Sequence, residues 1–302
     1  VQTCALPIYG LLRGAWYSIF HAISAFCNAG FDLMGHWQPY SSVTKYASDP
    51  LVLGTVMALI VLGGIGFFVW DDIARNQWHF RNYTLQTKVV LTTTALLLFL
   101  PFLWFWLCEF VNWQGMSTGQ QVLSALFQTV SPRTAGFNNV DLNQLSGGSK
   151  MLTILLMLVG GSPSSTAGGI KTTTLAILLL ALRAAFTSDH QVHCFGRRIP
   201  AQVITRTLVV SVLYGTLFLA ASMALIQLEP ITMEEALFEC ASAIGTVGLT
   251  LGITPELGVV SKVILILLMY LGRVGGLTLV YAVSGTGKRL HYTLPEESIG
   301  IG

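Results

Sequence analysis

Three places in the chain share one grammar, and that constrains the fold more than any single apolar run. They are Ser24-Ala25-Phe26-Cys27-Asn28-Ala29-Gly30-Phe31, Ser131-Pro132-Arg133-Thr134-Ala135-Gly136-Phe137-Asn138 and Ser242-Ala243-Ile244-Gly245-Thr246-Val247-Gly248-Leu249. Each closes a short helix-like run with small residues, a glycine and then a bulky apolar residue. Gly30, Gly136 and Gly248 lie 106 and 112 residues apart. A period of that size marks an internal repeat, to be recognised before any other feature.

The runs that lead into these stretches are too short to cross a hydrocarbon core, which takes about 20 apolar residues. Other runs are long enough: 51–70, 89–111 with Pro101 inside it and Trp104 and Trp106 near its end, 203–226 and 259–283. The 302 residues are 53% hydrophobic and 10% charged, against about 25% charged in soluble domains. Together these describe an all-α integral membrane protein. A formal charge of +2 gives no footprint for a nucleic-acid partner. Cys4, Cys27, Cys108, Cys194 and Cys240 are scattered without a C-x-x-C pair, which argues against a zinc site or a disulfide framework. No signal peptide opens the chain. Residues 1–14 read as the end of a segment whose beginning is absent.

Basic residues orient the chain. Arg75, Arg81, Lys88, Arg183, Arg197, Arg198, Arg206, Lys288 and Arg289 fall in two loops and the tail, while the other side holds mainly Lys45, Lys150 and Lys262 with most of the acids. The positive-inside rule puts the loops and tail in the cytoplasm and the short runs outside. Each unit is then a helix, a hairpin that enters and leaves on the outer side, and a second helix. The expected boundaries are 1–86, 87–202 and 203–283, followed by a cytoplasmic tail over 284–302.

Non-helical backbone survives at membrane depth only where it is buried in protein or lines a watery cavity. Three copies of one such stretch imply a shared cavity. Segments set around one axis present rings of carbonyl oxygens that can replace the hydration shell of a monovalent cation. The candidate filter is Asn28, Ala29, Gly30 and Phe31; Thr134, Ala135, Gly136 and Phe137; and Thr246, Val247, Gly248 and Leu249. Glycine admits the backbone angles that other residues resist. Phe31, Phe137 and Leu249 can pack outward as braces. The C-terminal, partly negative end of each short helix faces the cavity and favours a cation. No histidine or carboxylate cluster offers transition-metal ligation. Asp32 and Asp141 sit just outside their glycines, where they read first as solvated loop acids and alternatively as cation attractors at the mouth. His21 reads as packed or hydrogen-bonded within its short run.

The run 151–186 is too long for one plain helix and is broken by Gly160, Gly161, Ser162, Pro163, Ser164, Ser165, Thr166, Ala167, Gly168 and Gly169. Glycine, proline and Ser/Thr each have their own reason to leave a helix. The break lies 24 residues beyond Gly136, below the filter and across the path, so it reads as a gate. Lys171 follows it. Gly168-Gly169-Ile170-Lys171-Thr172 lacks the adjacent Gly-Lys and the preceding strand of a phosphate-binding loop, so Lys171 is expected to face the inner vestibule. Arg273 lies 25 residues beyond Gly248 in an apolar run, where an arginine is expensive and marks function. Its expected partners are carbonyls and hydroxyls of the 160–169 loop, and its charge would add a barrier under the filter. Gly63-Gly64-Ile65-Gly66 is the matching point of the first unit, read as packing glycines.

These residues, together with Phe20 to Phe31, Gly168 to Thr172, Ala243 to Thr250, Thr254 to Leu257 and Gly272-Arg273, resemble the Trk/Ktr/HKT superfamily of cation transporters, most closely the membrane subunits of Ktr potassium-uptake systems. The resemblance implies four helix–hairpin–helix units in pseudo-fourfold arrangement around one pore. The three hairpins here correspond to the second, third and fourth. It also implies a homodimer seated on a cytosolic ring of nucleotide-binding regulatory subunits, with K+ as the ion carried and Na+ as a candidate activator.

The reading is therefore potassium uptake across the cell membrane, with K+ held by the backbone carbonyls of the filter residues and passage controlled by the glycine-rich loop with Lys171 and Arg273. It implies no covalent chemistry and no cofactor in this chain. The rivals are a sodium-coupled secondary transporter with inverted repeats, which parallel units disfavour, and a non-conducting assembly subunit. An intramembrane enzyme would need an activated nucleophile or a metal set, and neither is found. Potassium against sodium stays open, because carbonyl geometry decides it.

Overall fold

The computed structural model describes residues 10–36, 41–77, 79–187 and 191–275. The expectations for the first nine residues and the 284–302 tail lie outside them. The described chain is almost wholly helical: α1 (Leu11–Phe26), α2 (Pro50–Ile65), α3 (Phe67–Asn76), α4 (Leu85–Cys108), α5 (Thr118–Val130), α6 (Gly147–Leu158), α7 (Thr172–Phe186), α8 (Ala201–Leu228), α9 (Met233–Ile244) and α10 (Val259–Val274). A two-residue hairpin, β1 (His193–Cys194) with β2 (Arg197–Arg198), sits in the second basic loop.

Helix starts follow local chemistry. Asp49 caps α2, which carries Pro50 in its first turn. Ser117 with Gln120 and Thr232 with Glu235 form reciprocal capping boxes at the starts of α5 and α9, each satisfying two orphan donors. Glu109, directly after α4, is buried and accepts from Asn112 Nδ2 at 2.7 Å and from the backbone N–H and hydroxyl of Ser146. It thereby ties the end of α4 to the cap of α6. Burial pushes its carboxyl up, but the donors of Ser146, Ser149 and Asn112 together bring it below the ordinary value.

The short helices α5 and α9 are largely buried, whereas α1 exposes Leu12, Trp16, Ile19 and Ile23. In α9, Ala236 and every residue from Phe238 to Ile244 are buried, enclosed by α6, α8 and α10. The outer helices α4 and α8 are the two unbroken helices, among the described residues, that are long and apolar enough to cross a membrane. They expose Leu96, Phe99, Leu100, Val212, Leu219 and Met223, as a lipid-facing surface requires.

Two expected spans are corrected. The run 51–70 is not one helix: α2 ends at Ile65 and α3 departs at 92°. Gly66 has φ +100, the Pro163 carbonyl oxygen occupies the place of its missing Cβ (2.5 Å), and Phe67 N–H is taken by the Ser164 carbonyl at 2.9 Å. The chain turns because another loop supplies the hydrogen bond that the helix loses. The run 259–283 is helical as far as Val274, and Gly275 (φ 90, ψ 138) matches Gly66 (φ 100, ψ 143) in conformation. Residues beyond 275 lie outside the described part. The break in 151–186 separates α6 from α7, with a parallel bridge between Val159 and Ile170 closing its neck.

Candidate functional site

Each short helix runs directly into a segment of alternating backbone hand. Asn28, Thr134 and Thr246 have φ of 50, 67 and 53, and the glycines two positions later, Gly30, Gly136 and Gly248, have 70, 79 and 92. The residue between, Ala29, Ala135 or Val247, is not left-handed. Alternation of this kind turns successive carbonyls towards one side of the chain. Among the described residues, no donor reaches the carbonyls of Asn28, Ala29, Gly30, Thr134, Ala135, Gly136, Thr246, Val247 or Gly248. Buried carbonyls are almost always paired, and Thr134, Ala135 and Val247 are buried. A row of free carbonyls is therefore a chemical feature of the site.

The segments are neighbours in chain order. A Cβ on Gly30 would stand 2.4 Å from the Ala135 carbonyl oxygen, and one on Gly136 would stand 2.1 Å from that of Val247. Each glycine thus makes room for the next segment's oxygen. Gly248 faces open space among the described residues.

The sequence reading had not assigned two supports. The serine that opens each stretch holds the segment that follows: Ser24 Oγ donates to Phe31 O at 2.7 Å, Ser131 Oγ donates to Phe137 O, and Ser242 Oγ accepts from Gly248 N–H at 3.1 Å. Their own carbonyls accept the N–H groups of Ala29, Ala135 and Val247 at 2.8 to 3.0 Å. Further back, a buried polar residue on each short helix braces the outgoing strand. His21 Nε2 accepts from Leu33 N–H at 3.3 Å, with Nδ1 on the Tyr17 carbonyl; Gln128 Nε2 donates to Asn139 Oδ1 at 3.1 Å; Glu239 accepts from Thr250 and Thr254. The serine recurrence was visible in the sequence. The braces were not, because three chemistries fill one place.

Phe137 and Leu249 are buried, but Phe31 is 70% exposed. Its role as a packed brace is corrected: no described element covers that side of the first segment. Asp32 and Asp141 stabilise turns, accepting from Met34 N–H at 2.8 Å and Asn143 N–H at 3.0 Å.

The 160–169 loop crosses beneath all three segments. The place of a Cβ on Gly168 is taken by Thr246 Oγ1 (2.1 Å), and one on Gly160 would meet the Gly168 carbonyl (2.0 Å) and Thr134 Cγ2 (3.1 Å). Gly169 passes Gly245, with 3.4 Å between the Cβ place and its Cα. With its amide oriented so that Nδ2 donates, Asn28 reaches Thr166 Oγ1 at 3.2 Å, and that hydroxyl lies 3.1 Å from Phe26 O and 3.2 Å from Gly63 O. Ser162 N–H binds Gly64 O at 2.9 Å, and Gly161 packs against Ala167 and Ser165. On the far side, Arg273 Nη1 donates to Thr166 O at 2.7 Å, and Gly169 N–H reaches Gly272 O at 3.4 Å. Lys171 does not simply face an open vestibule: its Nζ folds back to Ala167 O at 2.6 Å. The loop is thus pinned to α2 and the start of α3 on one flank and to α10 on the other. A Cβ on Gly63, read as a packing glycine, would stand 1.8 Å from Phe26 O, and one on Gly272 would stand 2.0 Å from Ile244 O. The two α-helices that follow the first and third hairpins therefore meet the ends of α1 and α9 in the same way.

A family model described as TrkH, cation transport protein, matches residues 8–286. The chain belongs to this family. The TrkH-family chain is 40% identical to a potassium/sodium uptake protein, NtpJ, of Enterococcus hirae, over 98% of its own length and 66% of that protein's. It is 38% identical to Ktr system potassium uptake protein B of Vibrio alginolyticus, covering 98% of this chain and 65% of that one. It thus spans just under two thirds of the length of these curated relatives. The crystal structure of the potassium transporter TrkH from Vibrio parahaemolyticus superposes with a TM-score of 0.75 at 20% identity, over 95% of this chain and 61% of that one, which shows the fold. The family is one of cation transport, and the long apolar helices α4 and α8 accord with a multi-pass membrane protein.

Proposed function

We propose that this chain forms part of a pathway for potassium uptake across the cell membrane, with the ion moving down its electrochemical gradient. The observation that carries the reading is the set of unbonded carbonyls on three adjacent segments of alternating hand, the first fitted to the second and the second to the third through a glycine. Such carbonyls exchange for the hydration shell of a monovalent cation. The three short helices end at the segments and add their negative poles. The names of the relatives, potassium/sodium uptake and Ktr system potassium uptake, support K+ as the ion and keep Na+ as a competitor or activator.

The 160–169 loop is the gate of this reading. It lies against Thr134 and Thr246 from below and is held by hydrogen bonds and by the single Arg273 clasp rather than by a helical ladder. Release of those bonds opens the path without disturbing α6 or α7. The filter faces outward and the basic loops face the cytoplasm, in accord with the positive-inside rule. The repeat boundaries at residues 86, 202 and 283, a homodimer and a cytosolic nucleotide-binding ring belong to the same proposal. A fourth unit completes the ring where Gly248 faces open space.

The test is Rb+ uptake in cells lacking their own potassium uptake, comparing this chain with one extended to the length of its relatives. Restored, saturable uptake by the extended chain is expected, and deletion of residues 161–168 should raise its flux severalfold. Normal membrane abundance without Rb+ or K+ uptake would refute the transport reading, and an unaltered flux in the deletion would refute the gate.

A further inference from the structure

Arg133 lies one residue before the second filter segment and is 7% exposed. Neither an ion pair nor a side-chain hydrogen bond is found for it among the described residues, and its buried Nε has no partner in the protein. Arginine keeps its charge in proteins, and a buried charge needs a partner or a hydrogen-bonding solvent. Arg133 lines a small cavity at a three-way junction. Asn28 of the first filter segment, Ile60 and Gly64 of α2, Thr94 of α4 and Gly161 of the crossing loop form its other walls. About 10 Å³ of it is open to the centre of a water molecule, room for one. Thr94, another residue of the lining, carries a second buried polar atom with no protein partner, its Oγ1. Two residues that each carry an unpartnered buried polar atom thus line one water-sized cavity, and among the described residues no acid pairs with the arginine.

We propose that Arg133, solvated by one water shared with Thr94, is a standing positive charge behind the joint of the first two filter segments, and that it weakens ion binding there. This rests on the reading of the segments as a cation filter. The joint is where Gly30 packs on the Ala135 carbonyl, so the charge acts on the free oxygens of both segments at once. Conduction needs sites that are favourable enough to fill and weak enough to empty. Nine free carbonyls and three helix C-termini all favour the cation. An uncompensated arginine in a low-dielectric wall opposes them, and its effect reaches several ångströms because nothing there screens it.

The experiment uses the transporter at the length of its relatives, with Rb+ as the probe, in cells lacking potassium uptake. Arg133→Gln removes the charge and keeps donors for the water, so the half-saturating Rb+ concentration should fall about tenfold. Arg133→Lys keeps the charge and should stay within about twofold of the parent. Thr94→Asp leaves the arginine in place and cancels its charge across the cavity. It should lower half-saturation as Arg133→Gln does, and it serves where Arg133→Gln fails to reach the membrane. A merely structural arginine would alter membrane abundance and leave half-saturation unmoved. Unshifted half-saturation in Thr94→Asp at parental abundance overturns the inference, as does a shift in Arg133→Lys equal to that in Arg133→Gln. A parent that moves no Rb+ sinks the transport reading and this inference with it; a parent that moves Rb+ with unshifted variants sinks this inference alone.

Discussion

Replacing Gly136 by alanine puts a methyl carbon 2.1 Å from the Val247 carbonyl oxygen and 3.1 Å from its carbon. Restoring an ordinary contact requires one of the two segments to move by roughly 1 Å. Alanine also resists the left-handed backbone at φ +79, which costs it about 1–2 kcal/mol. Binding constellations lose their discrimination when their atoms drift by more than about 0.5 Å. The displaced oxygen here is itself one of the free carbonyls. Gly136→Ala should therefore lower the preference for potassium over sodium at least about tenfold, equivalent to about 1.4 kcal/mol, while the membrane holds near-normal amounts of protein. The assay is Rb+ uptake with Na+ as competitor, normalised to protein in the membrane. Gly30→Ala, with 2.4 Å to the Ala135 oxygen, should act in the same direction and more weakly. Gly215→Ala, in the outer helix with nothing near its Cβ place, is the control and should change neither number. An unchanged ion preference in Gly136→Ala at parental abundance would refute the carbonyl-fit reasoning.

Arg273→Gln loses the charge-assisted bond to the Thr166 carbonyl, a contribution of about 1.5–3 kcal/mol. Uptake in the variant should rise severalfold, and a fall to zero at normal abundance would count against the clasp. Glu109→Ala leaves the Ser146 and Asn112 donors unmet and should destabilise the solubilised protein by about 2 kcal/mol, read as a lower Tm. Because the folded carboxyl lies below its unfolded value of 4.5, its contribution is present in full above that pH. It is lost as pH falls through the depressed folded value. The Tm difference between parent and variant should thus persist at neutral pH and close only in acid; a difference that stays constant through that range would overturn the assignment.

What the sequence disclosed, and what it hid, follows from how local each signal is. The break between α6 and α7 was legible because glycines, a proline and hydroxyl residues crowd into ten positions. The three stretches of alternating backbone hand were legible because spacing and residue type repeat together. The turn at Gly66 was not: a glycine in an apolar run reads alike whether or not it bends. The cause of the bend, Pro163 and Ser164, lies about 100 residues away. His21, Gln128 and Glu239 do one job with three chemistries, so no residue-level repeat announces it. Phe31, Phe137 and Leu249 look alike on paper, yet burial separates them, since burial depends on what lies alongside. Arg133 stood inside a recognised stretch, and only the cavity behind it distinguishes it from any loop arginine.

The packing of each glycine against its neighbour's carbonyl has a consequence for how the protein is made. The first of the three segments is synthesised with Gly30 105 residues ahead of Ala135, whose oxygen fills the space beside it, and the second waits likewise for Val247. Until its successor arrives, a hairpin holds unpaired backbone in a hydrocarbon setting with one wall missing, a state that membranes penalise. The hairpins therefore cannot mature one by one as they leave the ribosome. They reach their final shape together, after the last of them has been threaded.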